Sequence, residues 1–175
     1  MEKLVSGILK FQQQHFKEHK ELFSTLAKGQ QPETLFITCS DSRIDPCLIT
    51  QTRPGDLFIA RNAGNLVPPH YSQATTDMDA SIEFAMEVLK CRHIVICGHT
   101  DCGAMKGALK PDAVKHLPHV SNWLSNAAAA TARVCARHPQ HPEQHLLELI
   151  QENVVQQIRH LETHPTVAAR LATHD

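Results

Sequence analysis

Apolar residues recur along this chain with more than one period, and the changes of period divide it into elements. Between residues 3 and 27, Leu4, Val5, Ile8, Leu9, Phe16, Phe23 and Leu26 return at roughly helical spacing among Lys, Glu and Gln, which predicts an amphipathic helical segment. Gly29 and Pro32 end it. The short apolar runs inside "TLFITC" (34–39), "PGDLFIAR" (54–61) and "RHIVICG" (92–98) predict three buried strands, the second introduced by a Pro-Gly turn. Before the third strand, "ATTDMDASIEFAMEVLK" (74–90) predicts a helix whose acidic residues Asp77 and Asp79 suit an N-terminus. The second half is mostly helical: an Ala-rich stretch over 120–138, then 144–164 with Leu146, Ile150, Val154, Ile158 and Leu161 on one face. Stripes of this kind normally face a core.

Short apolar strands alternating with helices predict an α/β fold built on a central parallel sheet flanked by helices. The 175 residues suit one domain, with no internal repeat and no flexible linker. Its expected parts are a helical arm (1–28), a core (34–110) and C-terminal helices (118–172). Seventeen Lys and Arg stand against 18 Asp and Glu, a net charge of −1, and the basic residues form no block. Nothing therefore suggests a nucleic-acid or anionic-membrane surface. The N-terminus has no continuous apolar stretch and reads as neither signal peptide nor anchor, and the apolar runs are far too short for a spanning helix. Six scattered cysteines without an export signal fit reduced thiols in a cytoplasmic protein.

Three of the thiol and imidazole groups carry the chemistry. In open α/β sheets the loops at the carboxyl ends of the strands share one crevice. Cys39 ends the first strand, and His99 and Cys102 follow the third. Two thiolates and one imidazole suit zinc, and a catalytic site adds a fourth position held by water or an exchangeable ligand. His-x-x-Cys alone is a weak signal; its pairing with "CSDSR" changes the odds. Asp41 and Arg43 are placed to form an ion pair beside the metal, where the carboxylate has two competing partners and acts as a gate. Cys97 is expected to be a buried core thiol, and most of the thirteen histidines to lie on the surface.

"CSDSR", "RNAGNLVPP" and "GHTDCGAMKG", with "GQQP" before the first strand and "PGDLF" before the second, resemble the β-carbonic anhydrases. The likeness runs from about residue 4 to about residue 170. It implies one Zn2+ per chain, held by Cys39, His99 and Cys102. Asp41 is then either a fourth ligand in a closed site or swung away onto Arg43 in an open one. Phe36 stands where some bacterial relatives use a tryptophan to bind a regulatory bicarbonate, so the open state is expected. The resemblance further implies a substrate pocket containing Gln30, Phe58, Phe84 and Gly103, a homodimer or higher oligomer, and an N-terminal helix crossing onto the partner. His70 and His93 are conceivable proton shuttles.

Two departures from the family stand out. Asp77 and Asp79 replace glycines and place two carboxylates near the expected pocket rim. Relatives also continue past this point with a glycine-tryptophan-containing strand and a further strand, so "HIVIC" is expected to have an unpaired edge.

The activity implied is that of a carbonate dehydratase, a lyase: reversible hydration of CO2 to bicarbonate and a proton by zinc-bound hydroxide. Asp41 orients the nucleophile, and two thiolate ligands place the activity on the alkaline side of neutrality. Hydrolysis of carbonyl sulfide or carbon disulfide on the same site is the alternative, as is a catalytically impaired zinc-binding sensor or structural homologue.

Overall fold

The structure is a computed structural model that describes residues 1–71 and 75–173; Ala74, the first residue of the helix expected over 74–90, lies outside them. Two compact units are present, Met1–Gln31 and Pro32–Asp175.

The first unit is helical, as its apolar period predicts. α1 (Glu2–Lys10) runs through a wide π turn at Phe11–His15 into α2 (Phe16–Glu18), and α3 (Lys20–Leu26) follows a break at His19. Phe11, Phe16 and Phe23 gather their rings at centroid separations of 5.2 to 6.2 Å. Leu4, Val5, Ile8 and Leu9 are exposed.

The second unit is a parallel three-stranded sheet with helices around it. β1 (Thr34–Cys39) lies between β2 (Leu57–Asn62) and β3 (His93–Cys97), with Ile37 opposite both Ala60 and Ile96. α4 (Pro46–Thr50) follows β1, capped by Asp45, whose carboxylate accepts from the Leu48 amide. α5 (Asp77–Glu83) continues as a π turn over Phe84–Val88 and leads into β3. Then come α6 (Gly103–Leu109), α7 (Pro111–Val114), α8 (Pro118–Leu124), α9 (Ala128–Arg137), α10 (His145–Leu161) and α11 (Pro165–Thr173). A 3-10 turn at Ser125–Ala127 divides the Ala-rich stretch into α8 and α9.

The period-2 alternation of the strands sorts the core. Leu35, Ile37, Phe58, Ala60, Ile94 and Ile96 share one sheet face and pack with Met78, Ile82, Met86, Leu161 and Val167. A second cluster joins Cys39, Leu66, Cys102, Met105 and Leu124 to Val134, Leu149 and Ile150. Two expectations are corrected here. Only β1 is buried nearly throughout; Ile59 and Val95, which flank Phe36 on the opposite face, are each 38% exposed. The cause is position: among the described residues β2 and β3 have a strand neighbour on one side only. Cys97 is likewise half-buried rather than a core thiol.

α10 buries more than its apolar stripe. Ile150 and Leu161 are buried and Leu146 and Val154 half-buried, as the stripe predicts, but Ile158 is exposed, and Asn153, Gln156 and Gln157 are buried beside Leu149. Buried amides are tolerated only when hydrogen-bonded, and these are. The Gln157 carbonyl oxygen accepts from the Val67 amide at 2.8 Å, and its NH2 donates to Asn153 Oδ1 at 2.8 Å and to the Asn126 carbonyl at 3.2 Å. Asn153 in turn donates to the Gly64 carbonyl at 3.1 Å. The helix thus anchors the loop after β2.

Candidate metal centre

β1 delivers Cys39 to the carboxyl edge of the sheet as its last residue, and the loop after β3 delivers His99 and Cys102 to the same place. One donor atom from each lies within 4.8 Å of the others. The loop from Asn62 to Leu66 closes over Cys39. The Asn62 side-chain amide bridges Leu66 N and O at 2.8 Å each, and the Gly64 N–H donates to Cys39 Sγ at 3.3 Å. Gly64 has φ +86° and its Cα approaches α6 so closely that a Cβ would lie 2.9 Å from the Ala104 Cβ. Glycine is required there on both counts.

The imidazole orientation tests whether a metal fits. His99 Nδ1 lies 2.9 Å from the Thr100 carbonyl, which can only accept, so the proton belongs on Nδ1. Nε2 then carries a lone pair; it is buried and has no hydrogen-bond partner. A ligating histidine with its other nitrogen donating to a carbonyl has this arrangement. Burial, and then the neighbouring Cys39, push the Cys102 thiol above its ordinary pKa. A dication between the two sulfurs would reverse that penalty and satisfy Nε2 as well. Two thiolates and an imidazole in this setting fit Zn2+.

Asp41 stands beside this cluster, locked onto Arg43. Nε of Arg43 donates to Oδ1 at 2.9 Å, its Nη2 to Oδ2 at 2.8 Å, and its backbone amide to Oδ1 at 3.0 Å. These bonds hold the Asp41 carboxyl far below the usual carboxylate range. Oδ2 is 3.9 Å from His99 Nε2. The pair is fixed by groups that sequence reasoning missed. Arg43 also donates to the Asp101 carboxylate and carbonyl, each at 3.2 Å, while Lys106 engages the other Asp101 oxygen. Lys106, and after it Arg43, lower the Asp101 pKa. Arg61, from the sheet face opposite the main core, donates to the carbonyls of Cys39 and Asp41 at 2.8 to 3.1 Å. Asp101 sits inside the motif that supplies His99 and Cys102, so its position was a signal. Arg61 opens the "RNAGNLVPP" motif, so its position was a signal too.

The other candidates fall into place unevenly. Phe58 and Phe84 approach with ring centroids 5.8 Å apart. Gly103 opens α6 directly after Cys102, and a Cβ there would meet nothing within 4 Å. Gln30 belongs to the first unit. His93 is exposed on β3. Asp77 is exposed, and Asp79 closes a capping box with Thr76 at the start of α5, as its place at a helix N-terminus predicts, while its other oxygen faces His70 and His164. Cys97 takes no part in the cluster, its thiol lying against the Gly98 carbonyl.

Residues 34–175 match the carbonic anhydrase family model. A carbonic anhydrase of Synechococcus elongatus is 47% identical over 173 residues, covering 98% of this chain and 63% of that relative's length. The chain thus spans somewhat less than two thirds of that protein. The structure of the β-carbonic anhydrase CcaA superposes with a TM-score of 0.95 at 41% identity, over 100% of this chain and 79% of the other. Tetrameric β-carbonic anhydrases from Sordaria macrospora give a TM-score of 0.81 at 30% identity, over 99% of this chain and 86% of the other. With the thiol pair, the orphaned imidazole nitrogen and the Asp–Arg couple on one sheet edge, the chain belongs to the β-carbonic anhydrase family.

Proposed function

We propose that this chain catalyses the reversible hydration of CO2 to bicarbonate and a proton. The observation that carries the reading is the unpartnered, buried His99 Nε2 converging with the Cys39 and Cys102 thiols beside an Arg43-bound Asp41. Zinc, when bound, lowers the pKa of a coordinated water so that hydroxide is available near neutrality, as it does in carbonic anhydrases with three histidine ligands. Two thiolates offset more of the metal's charge than histidines do, so the active form grows in on the alkaline side.

The remaining work falls to the side chains. Asp41, held ionised by Arg43, accepts a hydrogen bond from the nucleophile and orients its lone pair, the role it has in an open site. Asp101 and Lys106 keep Arg43 in place. Phe58 and Phe84 give an apolar wall for a nonpolar linear substrate, the open space before Gly103 leaves room for its oxygen, and Gln30 serves as a hydrogen-bond donor to bicarbonate. We further propose that the arm and the sheet body work as one domain in a cytoplasmic homodimer, the arm's exposed apolar residues lying across the partner. The tetrameric Sordaria relatives support assembly of this kind. Among the described residues no helix is long and apolar enough to cross a membrane.

Stopped-flow CO2 hydration on protein of measured zinc content tests this, scanned from neutral to moderately alkaline pH. Turnover rising with pH is expected. Asp41→Asn should keep its zinc and lose rate, while Cys39→Ala and His99→Ala should lose zinc. Full zinc occupancy without turnover, or an Asp41→Asn variant as fast as the parent, would refute the reading.

A further inference from the structure

A second group of metal-ligating side chains lies apart from the Cys–His–Cys cluster and has no part in the chemistry above. His70, Asp79 and His164 each offer one atom within 4.8 Å of the other two. They come from three separate segments: the loop after β2, the first turn of α5, and the junction of α10 with α11. His70 Nδ1 is 3.7 Å and His164 Nδ1 is 3.6 Å from the same oxygen, Asp79 Oδ1.

The hydrogen bonds around this trio leave His164 Nδ1 and Asp79 Oδ1 facing each other as acceptors, with His70 Nδ1 3.7 Å from the same oxygen. His164 is 3% exposed, and its Nε2 lies 3.0 Å from the Pro68 carbonyl. A carbonyl only accepts, so the proton sits on Nε2 and neutral His164 presents a bare Nδ1 lone pair to a carboxylate oxygen. The other Asp79 oxygen is committed to the capping box, accepting from the Thr76 amide at 2.7 Å and from its hydroxyl. Separations of 3.6 and 3.7 Å are too long for a hydrogen bond. They lie at or about 0.1 Å beyond the upper end of the roughly 3.3–3.6 Å span between two ligands that share a tetrahedral ion, a gap that a small side-chain rotation closes. The Nε2–H···O=C bond of His164 is the support that orients a metal-ligating imidazole. The half-exposed His70 side gives an ion a way in.

We propose that His70, Asp79 and His164 form a second divalent-metal site, with a two-imidazole, one-carboxylate donor set suited to Zn2+ and related borderline ions. Water completes the coordination. The ion pins the loop after β2 and the N-terminus of α5 to the end of α10, segments far apart in the chain. His70 already touches that junction, its amide donating to Thr163 Oγ1 at 2.8 Å.

The test is equilibrium dialysis of the zinc-loaded protein against Zn2+ alone, with metal counted per chain, for the parent, His70→Ala and Asp79→Asn. His70→Ala removes a half-exposed side chain and leaves the fold intact, and Asp79→Asn keeps an oxygen to cap Thr76. The parent is expected to take a second equivalent. Both variants should hold it at least about tenfold more weakly, the smaller cost seen when even a supporting partner of a ligand is lost. Co2+ loaded as the second equivalent should show d–d bands without thiolate charge transfer. One equivalent in the parent, an unchanged second equivalent in both variants, or a charge-transfer band accompanying the second ion would each overturn the site.

Discussion

Asn153 offers the sharpest test of how the fold supports the metal centre. It is 1% exposed, on the buried polar face of α10, and joins two structures. Its NH2 donates to the Gly64 carbonyl at 3.1 Å and its oxygen accepts from Gln157 at 2.8 Å. Asn153→Leu keeps the branched shape but deletes both bonds, leaving the Gly64 carbonyl and one Gln157 N–H without partners in a site closed to water. Each orphaned group costs about 1–3 kcal/mol, and the added apolar surface returns about 1 kcal/mol. A net loss of about 3 kcal/mol follows, which lowers Tm by roughly 6–12 °C for a chain of this size. The effect should also reach the metal, because the peptide that loses its carbonyl partner neighbours the Gly64 amide that donates to Cys39 Sγ at 3.3 Å. Loss of such supporting bonds weakens metal binding by about 10–100-fold. Thermal unfolding of the zinc-loaded protein reads the first effect, and competition with a chromogenic chelator reads the second. If Tm moved by less than about 2 °C and zinc affinity were unchanged, the claim that α10 braces the metal loop would be wrong.

The other predictions probe separate contacts. Gly64→Ala forces a left-handed φ on alanine and drives its Cβ against Ala104, so it should cost about 2 kcal/mol or more and reduce zinc retention, read by metal content after purification. Glu152 joins α10 to α9 through Arg133 at 2.6 Å and Arg137 at 3.3 Å, and the Arg133 bond above all holds its carboxyl below its ordinary value. A carboxyl lowered on folding gives stability that is present above its unfolded pKa and lost as pH falls through the folded one. Glu152→Gln should therefore be less stable than the parent near neutrality, and the gap should close in acid; a pH-independent gap in urea midpoints would contradict this. Burial first, set against a bond to the Val67 carbonyl, lowers the His160 pKa, so its protonation should add to the loss of stability below about pH 6, and His160→Gln should flatten that part of the curve. Removing zinc with a strong chelator should lower Tm, since the buried Cys39–Cys102 pair then loses the ion that offsets its burial and His99 Nε2 is left without a partner; an unchanged Tm would mean that the metal adds nothing to folding.

How much of this was legible in the sequence depends on which force placed each group. The three strands announced themselves through apolar runs. Once they are parallel strands of one sheet, topology alone brings their carboxyl ends together, so Cys39, His99 and Cys102 were findable without any side-chain detail. Asp41 and Arg43 are two residues apart, and their pairing is local geometry. Hydropathy failed where burial is decided by hydrogen bonds supplied from far away. On α10, Ile158 belongs to the apolar stripe and is exposed, while Asn153 and Gln157 look like surface and are buried. Their amides are stable inside because the carbonyls of Gly64 and Asn126 and the amide of Val67 meet them there. No periodicity records those partners, since a loop presents its peptide groups to a helix only after both have packed. Asp79 was half legible for the same reason: its helix-capping role is local and was readable, but the two imidazoles beside it, one of them from the far end of the chain, were not. The polar groups that brace this centre are therefore the ones that a single sequence hides, and substitutions there, more than in the apolar core, separate a chain that merely folds from one that holds its metal in working geometry.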